Sequence, residues 1–446
     1  MLRNHLIHVL LSGVTLMLIG CSTGGTDGTS VQAQITFIKT LGGSSNDSGR
    51  SIIKTFDGGY VIAGHTQSSD GDIANKLNSS FDYWIMKFDA TDTLQWQKTY
   101  GGSDQDRAND IIQTEDGGFA VLGFSNSANG DVTENEGQTD YWLLKLDGSG
   151  NLSWQRSFGY SGVDNGISMI QTRDGGYLLA GILDVSASGG LGNSRSALSK
   201  KHAGGDYWVI KLDPMGTMQW SKYYGGNFTD TPNGLFQTAD NDYIIVGFSD
   251  SNDVDISNNQ GSYDFWIIKI SETGDLIWEH SYGGSEIDEA WGIIDSGNGN
   301  YLIVGNTRSN DKNVTQNKGA ADLWLIKIND DGNLLWEKCL GGSNFDQGQS
   351  ISKSQDNTFI ISGNSRSTDG NVSENKGQND AWIMKIDGNG NLVWEKSIGG
   401  SGIDLAFDAV TLNDNSIVAV GASNSTDQDI EINKGFTDLL LIKIND

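Results

Sequence analysis

Short apolar runs alternate with polar turns along almost the whole chain. In the segment that begins at Gly101, residues 108–114, 119–124, 140–146 and 152–158 are rich in aliphatic, aromatic and β-branched side chains, as is typical of strands. Glycine-rich turns separate the first run from the second and the third from the fourth, and glycine supplies the positive φ that tight hairpins need. The segment therefore predicts four antiparallel strands.

The third run occurs seven times. DYWIMK, which begins at Asp82, returns as DYWLLK, DYWVIK, DFWIIK, DLWLIK, DAWIMK and DLLLIK. Equivalent positions are 58 residues apart, except that 66 residues separate Trp142 from Trp208. A fixed period of this length is typical of repeat proteins, in which each unit buries its faces against its neighbours. Four strands per unit, apolar on both faces, predict the blade of a β-propeller.

The two ends of the repeat array complement each other. ITFIKTLGG, from Ile35, matches the fourth strand of a unit, and the C-terminal DLLLIKIND is a third strand. We expect the first strand to complete the last blade, because closure removes two exposed sheet edges. The predicted fold is therefore all-β: a seven-bladed β-propeller of four-stranded antiparallel blades over residues 35–446.

The segments GG-S-x-x-D, DGGY-x-(V/I)-x-G and D-x-W-(I/V/L)-x-K resemble those of β-propeller repeat proteins on bacterial surfaces. In strand order the chain is similar to WD40 propellers, although it lacks their signature dipeptides. The resemblance covers all seven repeats and implies the architecture. It implies little about activity, because propellers host many unrelated functions.

The N-terminus has the pattern of a secretory signal. Residues 1–20 contain Arg3 and an apolar run that is too short to cross a bilayer, and they end in Leu-Ile-Gly before Cys21. This ending resembles the lipobox of bacterial lipoproteins, which implies a signal peptide over 1–20, a lipid on Cys21 and a flexible tether over 21–34. An ordinary signal peptide is the alternative. The resemblance implies a cell-envelope lipoprotein of the outer membrane, surface-exposed or periplasmic, that contacts the membrane only through its lipid.

Charge and cysteine content exclude some classes. The chain has 57 acidic and 29 basic residues and a formal net charge of −28, which argues against a nucleic-acid partner. With Cys21 lipidated, Cys339 has no partner for a disulfide, so we expect stability to come from a large core.

Residues that recur in every unit are predicted to be architectural. Two sets of six tryptophans occupy the third and fourth strands, and residues repeated once per blade favour packing between blades over a binding platform. An aspartate also recurs before each first strand, where we expect it to cap backbone amides. These aspartates are Asp47, Asp106, Asp164, Asp230, Asp288, Asp346 and Asp404.

The long loop between the second and third strands repeats the pattern D-V-x-x-N-x-G-x-x-D. Its oxygen-bearing side chains are of the kind that calcium prefers, with Asp131, Asp255 and Asp429 as candidate ligands. Asx-turns explain the same residues without metal. We expect no other cofactor, and structural calcium stays open.

Asymmetry between the copies indicates where a ligand binds. The position three residues after each repeated aspartate differs from blade to blade and would encircle the channel mouth if the first strands line the channel. A ring of this composition is a candidate site for a sugar or a peptide, and the alternative is that it fills space between blades. The residues are Arg50, Asn109, Ile167, Asn233, Trp291, Gln349 and Phe407.

The third unit carries eight extra residues, and its loop from Val185 to Gly205 includes Arg195, Lys200, Lys201 and His202. This basic patch on an acidic molecule predicts either a solvated loop or a contact for an acidic partner.

Catalytic signatures are weak. The chain has no HExxH, GxSxG, P-loop or CxxC pattern. The leading hypothesis is a non-catalytic surface module that binds a glycan or a protein through its loop face. The alternatives are a polysaccharide-active enzyme that uses paired carboxylates at the channel mouth and a purely structural surface protein.

Overall fold

The computed structural model describes residues 33–74, 76–194 and 202–446. These residues form 28 strands, arranged as seven sheets of four antiparallel strands, and one helix of four residues. The predicted signal peptide, Cys21 and the tether up to residue 32 lie outside the described residues. Ala33 is already buried, and the first strand begins at Gln34, slightly before the predicted start of the propeller.

Each sheet has the same strand order. The first strands are β2 (Asp47–Lys54), β6 (Asp106–Gln113), β10 (Asn165–Gln171), β14 (Asp230–Gln237), β18 (Asp288–Gly297), β22 (Asp346–Lys353) and β26 (Asp404–Thr411). The second strands are β3 (Tyr60–Thr66), β7 (Phe119–Ser125), β11 (Tyr177–Asp184), β15 (Tyr243–Ser249), β19 (Asn300–Thr307), β23 (Phe359–Ser365) and β27 (Ile417–Ser423). The third strands are β4 (Asp82–Phe88), β8 (Asp140–Leu146), β12 (Gly205–Leu212), β16 (Asp264–Ile270), β20 (Asp322–Asn329), β24 (Asp380–Ile386) and β28 (Asp438–Asn445). The fourth strands are β5 (Leu94–Tyr100), β9 (Leu152–Phe158), β13 (Met218–Tyr224), β17 (Leu276–Tyr282), β21 (Leu334–Leu340), β25 (Leu392–Ile398) and, for the last blade, β1 (Gln34–Leu41).

The first strands contact one another in a closed ring, in which β26 of the seventh blade touches β2 of the first. The last sheet has the order β1-β28-β27-β26, so the N-terminal strand completes it. Thr40 lies opposite Leu440 in this antiparallel pairing. The predicted seven-bladed propeller and its closure are therefore confirmed.

The third strands lie at the centre of the core, because neighbouring sheets cover both of their faces. Their tryptophans are fully buried, and the Trp142 ring centroid lies 4.7 Å from that of Tyr83 in the preceding blade. The Tyr83 hydroxyl donates to the Trp142 carbonyl oxygen at 2.8 Å. The repeated tryptophans of these strands thus pack between blades, as predicted.

The tryptophans of the fourth strands pack against a turn of the next blade. Gly150, in the turn after β8, has a φ of +77°, and a Cβ there would lie 2.8 Å from the Trp96 ring. The turn therefore requires glycine both for its backbone conformation and for the ring.

The repeated aspartate at the start of each first strand is buried and holds the turn that enters the strand. The Asp106 carboxylate accepts the Gly102 N–H at 2.7 Å and the Ser127 hydroxyl at 2.9 Å. This bonding joins the entry turn to the loop that follows β7. The predicted capping role is confirmed.

Part of the insertion in the third blade is structural. It begins with α1 (Val185–Ser188), whose N-cap Asp184 accepts the Ala187 N–H. The Gly192 carbonyl then accepts the Trp208 indole N–H at 3.0 Å. In most other blades, a Gln or Glu of the fourth strand takes this N–H, as Gln97 does for Trp84. Within the described part of the chain, no helix has the length and apolar character that a membrane span requires.

Candidate functional site

A β-bulge interrupts every first strand at the same position of the repeat. In β2 the pairing register shifts between Gly49 and Ser51, so Arg50 is the extra residue. A bulge leaves such a residue outside the ladder and redirects its side chain. Equivalent shifts bracket the corresponding residues of the other six blades, which are Asn109, Ile167, Asn233, Trp291, Gln349 and Phe407.

These seven side chains line one cavity of about 390 Å³, bounded by the ring of first strands. The structure thus brings together all the channel-mouth residues singled out from the sequence. The following position in each blade also contributes to the wall. Its residues are Ser51, Asp110, Ser168, Gly234, Gly292, Ser350 and Asp408.

The amide side chains of the ring differ in whether they form hydrogen bonds to a neighbouring blade. The Asn109 amide donates to the Gly166 carbonyl at 2.8 Å, and the Asn233 amide donates to the Ala290 carbonyl at 2.7 Å. Both bonds join one blade to the next, so these two residues also have an architectural role. Gln349 is partly exposed, and no hydrogen bond to its side chain is present among the described residues. Its amide is available to a ligand.

Trp291 is held in a fixed orientation. Its indole N–H donates to the Asn306 side-chain oxygen at 2.9 Å, and the Asn306 amide donates to Glu289 at 3.2 Å. The Phe248 ring lies beside it, with centroids 6.2 Å apart. Trp291 thus offers the cavity a rigid aromatic surface, which is the kind of group that stacks on sugars and other planar or apolar ligand faces.

Arg50 stacks on Phe407 of the seventh blade, with its guanidinium carbon 4.2 Å from the ring centroid. Its Nε is buried and has no hydrogen-bond partner in the described structure. Burial, followed by the nearby charge of Arg107, lowers the pKa of Arg50. Two ring positions that are distant in sequence therefore form one cationic corner of the cavity.

Two carboxylates that the sequence analysis did not single out, Asp110 and Asp408, also reach the cavity. The Ser51 hydroxyl donates to Asp110 at 3.2 Å and also interacts with Asp408. Burial raises the pKa of each to about 6. A comparison of the position after the variable ring would have found them, because Ser or Gly occupies it in the other five blades.

Both carboxylates also hold neighbouring blades together. Asp110 accepts the Met169 N–H at 2.8 Å, and Asp408 accepts the Ile52 N–H at 2.9 Å. Each bond runs from the first strand of one blade to that of the next. The acids are consequently oriented by the ring itself.

The candidate calcium ligands accept hydrogen bonds from the turn that precedes the first strand of their blade. Asp131 accepts the Gly101 N–H at 3.1 Å, Asp255 accepts the Gly225 N–H at 3.4 Å, and Asp429 accepts the Gly399 N–H at 3.1 Å. Across the described ranges, no group of three or more His, Cys, Asp or Glu side chains is arranged to hold a metal ion. Calcium at these positions stays a prediction.

His202 lies inside the third blade. Its ring is buried, and Nδ1 lies 2.5 Å from the Asp206 carboxylate. The structure therefore places His202 in a buried position against an acidic side chain of its own blade, and the prediction of an exposed His202 is wrong. Arg195, Lys200 and Lys201 lie outside the described residues, so their predicted contact stays a prediction.

Fold and cavity together define a seven-bladed β-propeller with a polar and aromatic cavity bounded by its first strands. No protein-family model matches the chain. Over 181 residues, 38% of this chain, it is 27% identical to the regulatory protein FlaEY of Caulobacter vibrioides. The match spans only 18% of that relative's length.

Solved structures with a similar fold include the WD40 domain of Neurospora crassa Pan2, with a TM-score of 0.46, 8% identity, and coverage of 91% of this chain and 95% of that one. Sqt1 from Chaetomium thermophilum gives a TM-score of 0.44 at 9% identity, over 86% of this chain and 82% of that one. A Bacteroides caccae protein of unknown function gives a TM-score of 0.41 at 12% identity, over 70% of this chain and 89% of that one. These similarities concern the fold alone.

Proposed function

We propose that the protein is a non-catalytic binding module of the bacterial cell envelope that takes up a glycan or a segment of a surface protein in the channel-mouth cavity. The observation that supports this proposal is that repeated and variable side chains occupy different parts of the fold. Side chains that recur in each blade are used in packing, whereas those that break the repeat meet in one cavity. Asymmetric polar and aromatic groups in a concave site are what specific recognition needs.

The setting of the module is part of the proposal. The lipobox-like ending at Cys21 supports a lipid anchor in the outer membrane, and the acidic charge supports a partner other than nucleic acid. In this arrangement the anchor supplies the only membrane contact, and the cavity faces the partner.

Thermal-shift measurements on the purified chain with panels of glycans and peptides test the proposal, because a ligand that binds the folded state raises its melting temperature. Trp291→Leu and Gln349→Ala should abolish or weaken the shift. Gln378→Ala is a matched control, since Gln378 is an exposed amide on a loop. No shift with any ligand, or equal shifts for all variants, would contradict a binding role for the cavity.

One observation supports a second candidate function, a polysaccharide-active enzyme. Asp110 and Asp408 share the Ser51 hydroxyl in the cavity, and a pKa of about 6 allows one acid to be protonated while the other is ionised. Release of reducing ends from a polysaccharide that is lost in both Asp110→Asn and Asp408→Asn would favour this function. Binding without turnover would favour the module.

A further inference from the structure

Arg50 is a half-buried cation on a strongly acidic protein, and its Nε is fully buried without a hydrogen-bond partner in the described structure. Buried lysines of the third strands are paired, as Lys145 is with Asp116 at 2.8 Å and Lys211 with Asp174 at 2.8 Å. Arg50, in contrast, has no ion pair or hydrogen bond within the described part of the chain. Even partial burial of an unpaired charge is costly, so such a residue usually pairs or serves a ligand.

The surroundings of Arg50 increase the positive charge there. Arg107 stacks on Phe81 at 4.0 Å, and its buried Nε has no hydrogen-bond partner in the described structure. His65 is buried nearby with its Nδ1 likewise unpartnered. Burial, then the charges of Arg50 and Arg107, holds the pKa of His65 well below its ordinary value. We call these three residues the Arg50 cluster.

A structural role accounts for Arg50 poorly. Its main described contact is with the ring of Phe407, and a cation–π contact compensates only in part for removing a charge from water. Its side chain forms no hydrogen bond to a neighbouring blade, whereas those of Asn109 and Asn233 do. The ring of Phe407 instead holds the guanidinium in place at the cavity wall.

The two carboxylates of the same cavity do not form ion pairs with the Arg50 guanidinium. Asp110 and Asp408 are bound by backbone N–H groups of the adjoining blades, and neither forms an ion pair with Arg50. Those amides stabilise the carboxylates locally. The guanidinium therefore keeps its donors for a group that enters from solvent.

We propose that Arg50 is an oxyanion-binding residue, and that the ligand of the cavity carries a carboxylate, sulfate or phosphate group that pairs with it. The proposal rests on the binding function above and specifies its ligand class. The planar fork of arginine suits oxyanions, which it can bind through two parallel N–H groups. Arg107 adds attraction over a longer range, and Trp291 offers a surface to the uncharged part of the ligand.

Isothermal titration and thermal shift on the purified chain test the proposal. The ligands are glucuronate, glucose 6-sulfate and glucose 6-phosphate, with glucose as the neutral reference and acetate, sulfate and phosphate as the bare anions. We expect at least one charged sugar to bind more tightly than glucose, with an affinity that falls as salt is added. The preference among the three sugars identifies the anionic group.

Three variants separate binding from folding. Arg50→Met should weaken binding of the charged sugar by roughly 10- to 100-fold, as expected when a charge-assisted hydrogen bond is lost, and should leave the melting temperature of the free protein equal or higher. Arg50→Lys should retain part of the affinity. Arg366→Met is the control, because Arg366 is exposed and also stacks on a phenylalanine, Phe345, at 5.6 Å, outside the cavity.

The outcomes distinguish the two proposals. Glucose binding equal to that of the charged sugars, unchanged in Arg50→Met but lost in Trp291→Leu, would overturn the oxyanion assignment and keep the binding function. A melting temperature of Arg50→Met and Arg50→Lys well below that of wild type would assign Arg50 a structural role and also overturn it. Absence of binding by any glycan or peptide would overturn both.

Discussion

Stability should fall as the pH rises from 5 to 8, because carboxyl groups meet in pairs at the junctions between blades. At one junction, Asp264 and Asp288 both contact Gly283, where an added Cβ would collide with each carboxylate. One Asp264 oxygen accepts the Gln260 N–H, and the other has no hydrogen-bond partner in the described structure. Burial, together with the charge of Asp288, raises the pKa of Asp264 to about 7.

The magnitude follows from linkage. A pKa of about 7 in the folded chain lies roughly 3 units above that of an unfolded aspartate, near 3.9, and each unit corresponds to about 1.4 kcal/mol. Because the folded pKa is raised, the stabilisation is complete below about pH 4 and is lost as the pH rises through 7. Asp264 alone can then remove at most about 4 kcal/mol of stability by pH 8.

Other ionisable groups also contribute to the change of folding stability with pH. Burial raises the pKa of Asp140, Asp322 and Asp380 to about 6, so they act in the same direction. His65 acts in the opposite direction, because its lowered pKa favours the fold above about pH 6.5. Asp116, with a pKa of about 2, is ionised throughout this range and adds no slope.

Urea unfolding of wild type and Asp264→Asn at four pH values between 5 and 8, at constant ionic strength, measures the effect. The amide keeps the shape of the protonated acid, and its N–H₂ can donate to Asp288. The stability advantage of Asp264→Asn over wild type should therefore grow by roughly 3 kcal/mol from pH 5 to pH 8. Asp147→Asn is the control, since Asp147 is exposed and its pKa is lowered by hydrogen bonds from Asn151. Parallel curves for wild type and Asp264→Asn would refute the reasoning.

Three further predictions concern the ring. Deletion of residues 33–41 should lower the melting temperature, because it removes β1 and exposes the edge of β28. The deleted protein should also associate on size-exclusion chromatography, and a monomer of unchanged stability would contradict the closure. Tyr83→Phe should cost about 1–2 kcal/mol in urea unfolding, since it leaves the buried Trp142 carbonyl without its hydroxyl donor. The fourth blade has Phe265 at the equivalent position, so Phe265→Leu provides a comparison without a lost hydrogen bond. A chelator should leave the melting temperature unchanged, because Asp131 and its counterparts already accept backbone N–H groups; a drop that added calcium reverses would assign those loops to calcium.

The architecture follows from the sequence because its signals are local and repeated. The apolar runs give the strands, the 58-residue period gives the blades, and the unmatched strands at the two ends give the closure, which the pairing of β1 with β28 confirms. Repetition within one chain also separated packing residues from the rest. The buried third-strand tryptophans and the capping aspartates are where that argument placed them.

The character of the cavity was decided by tertiary structure. The bulges at Arg50 and its counterparts depend on pairing between strands, so no local sequence pattern predicts them. Arg50 and Phe407 are 357 positions apart and meet only because the ring closes. The entry of Asp110 and Asp408 into the same cavity likewise depends on contacts between blades. The sequence by itself determined which elements form and how many times, because the period is written in the chain. Only the closed ring decided which side chains meet in the cavity and which charged groups lie there without an ion pair. Burial and charge pairing depend on residues that are far apart in sequence.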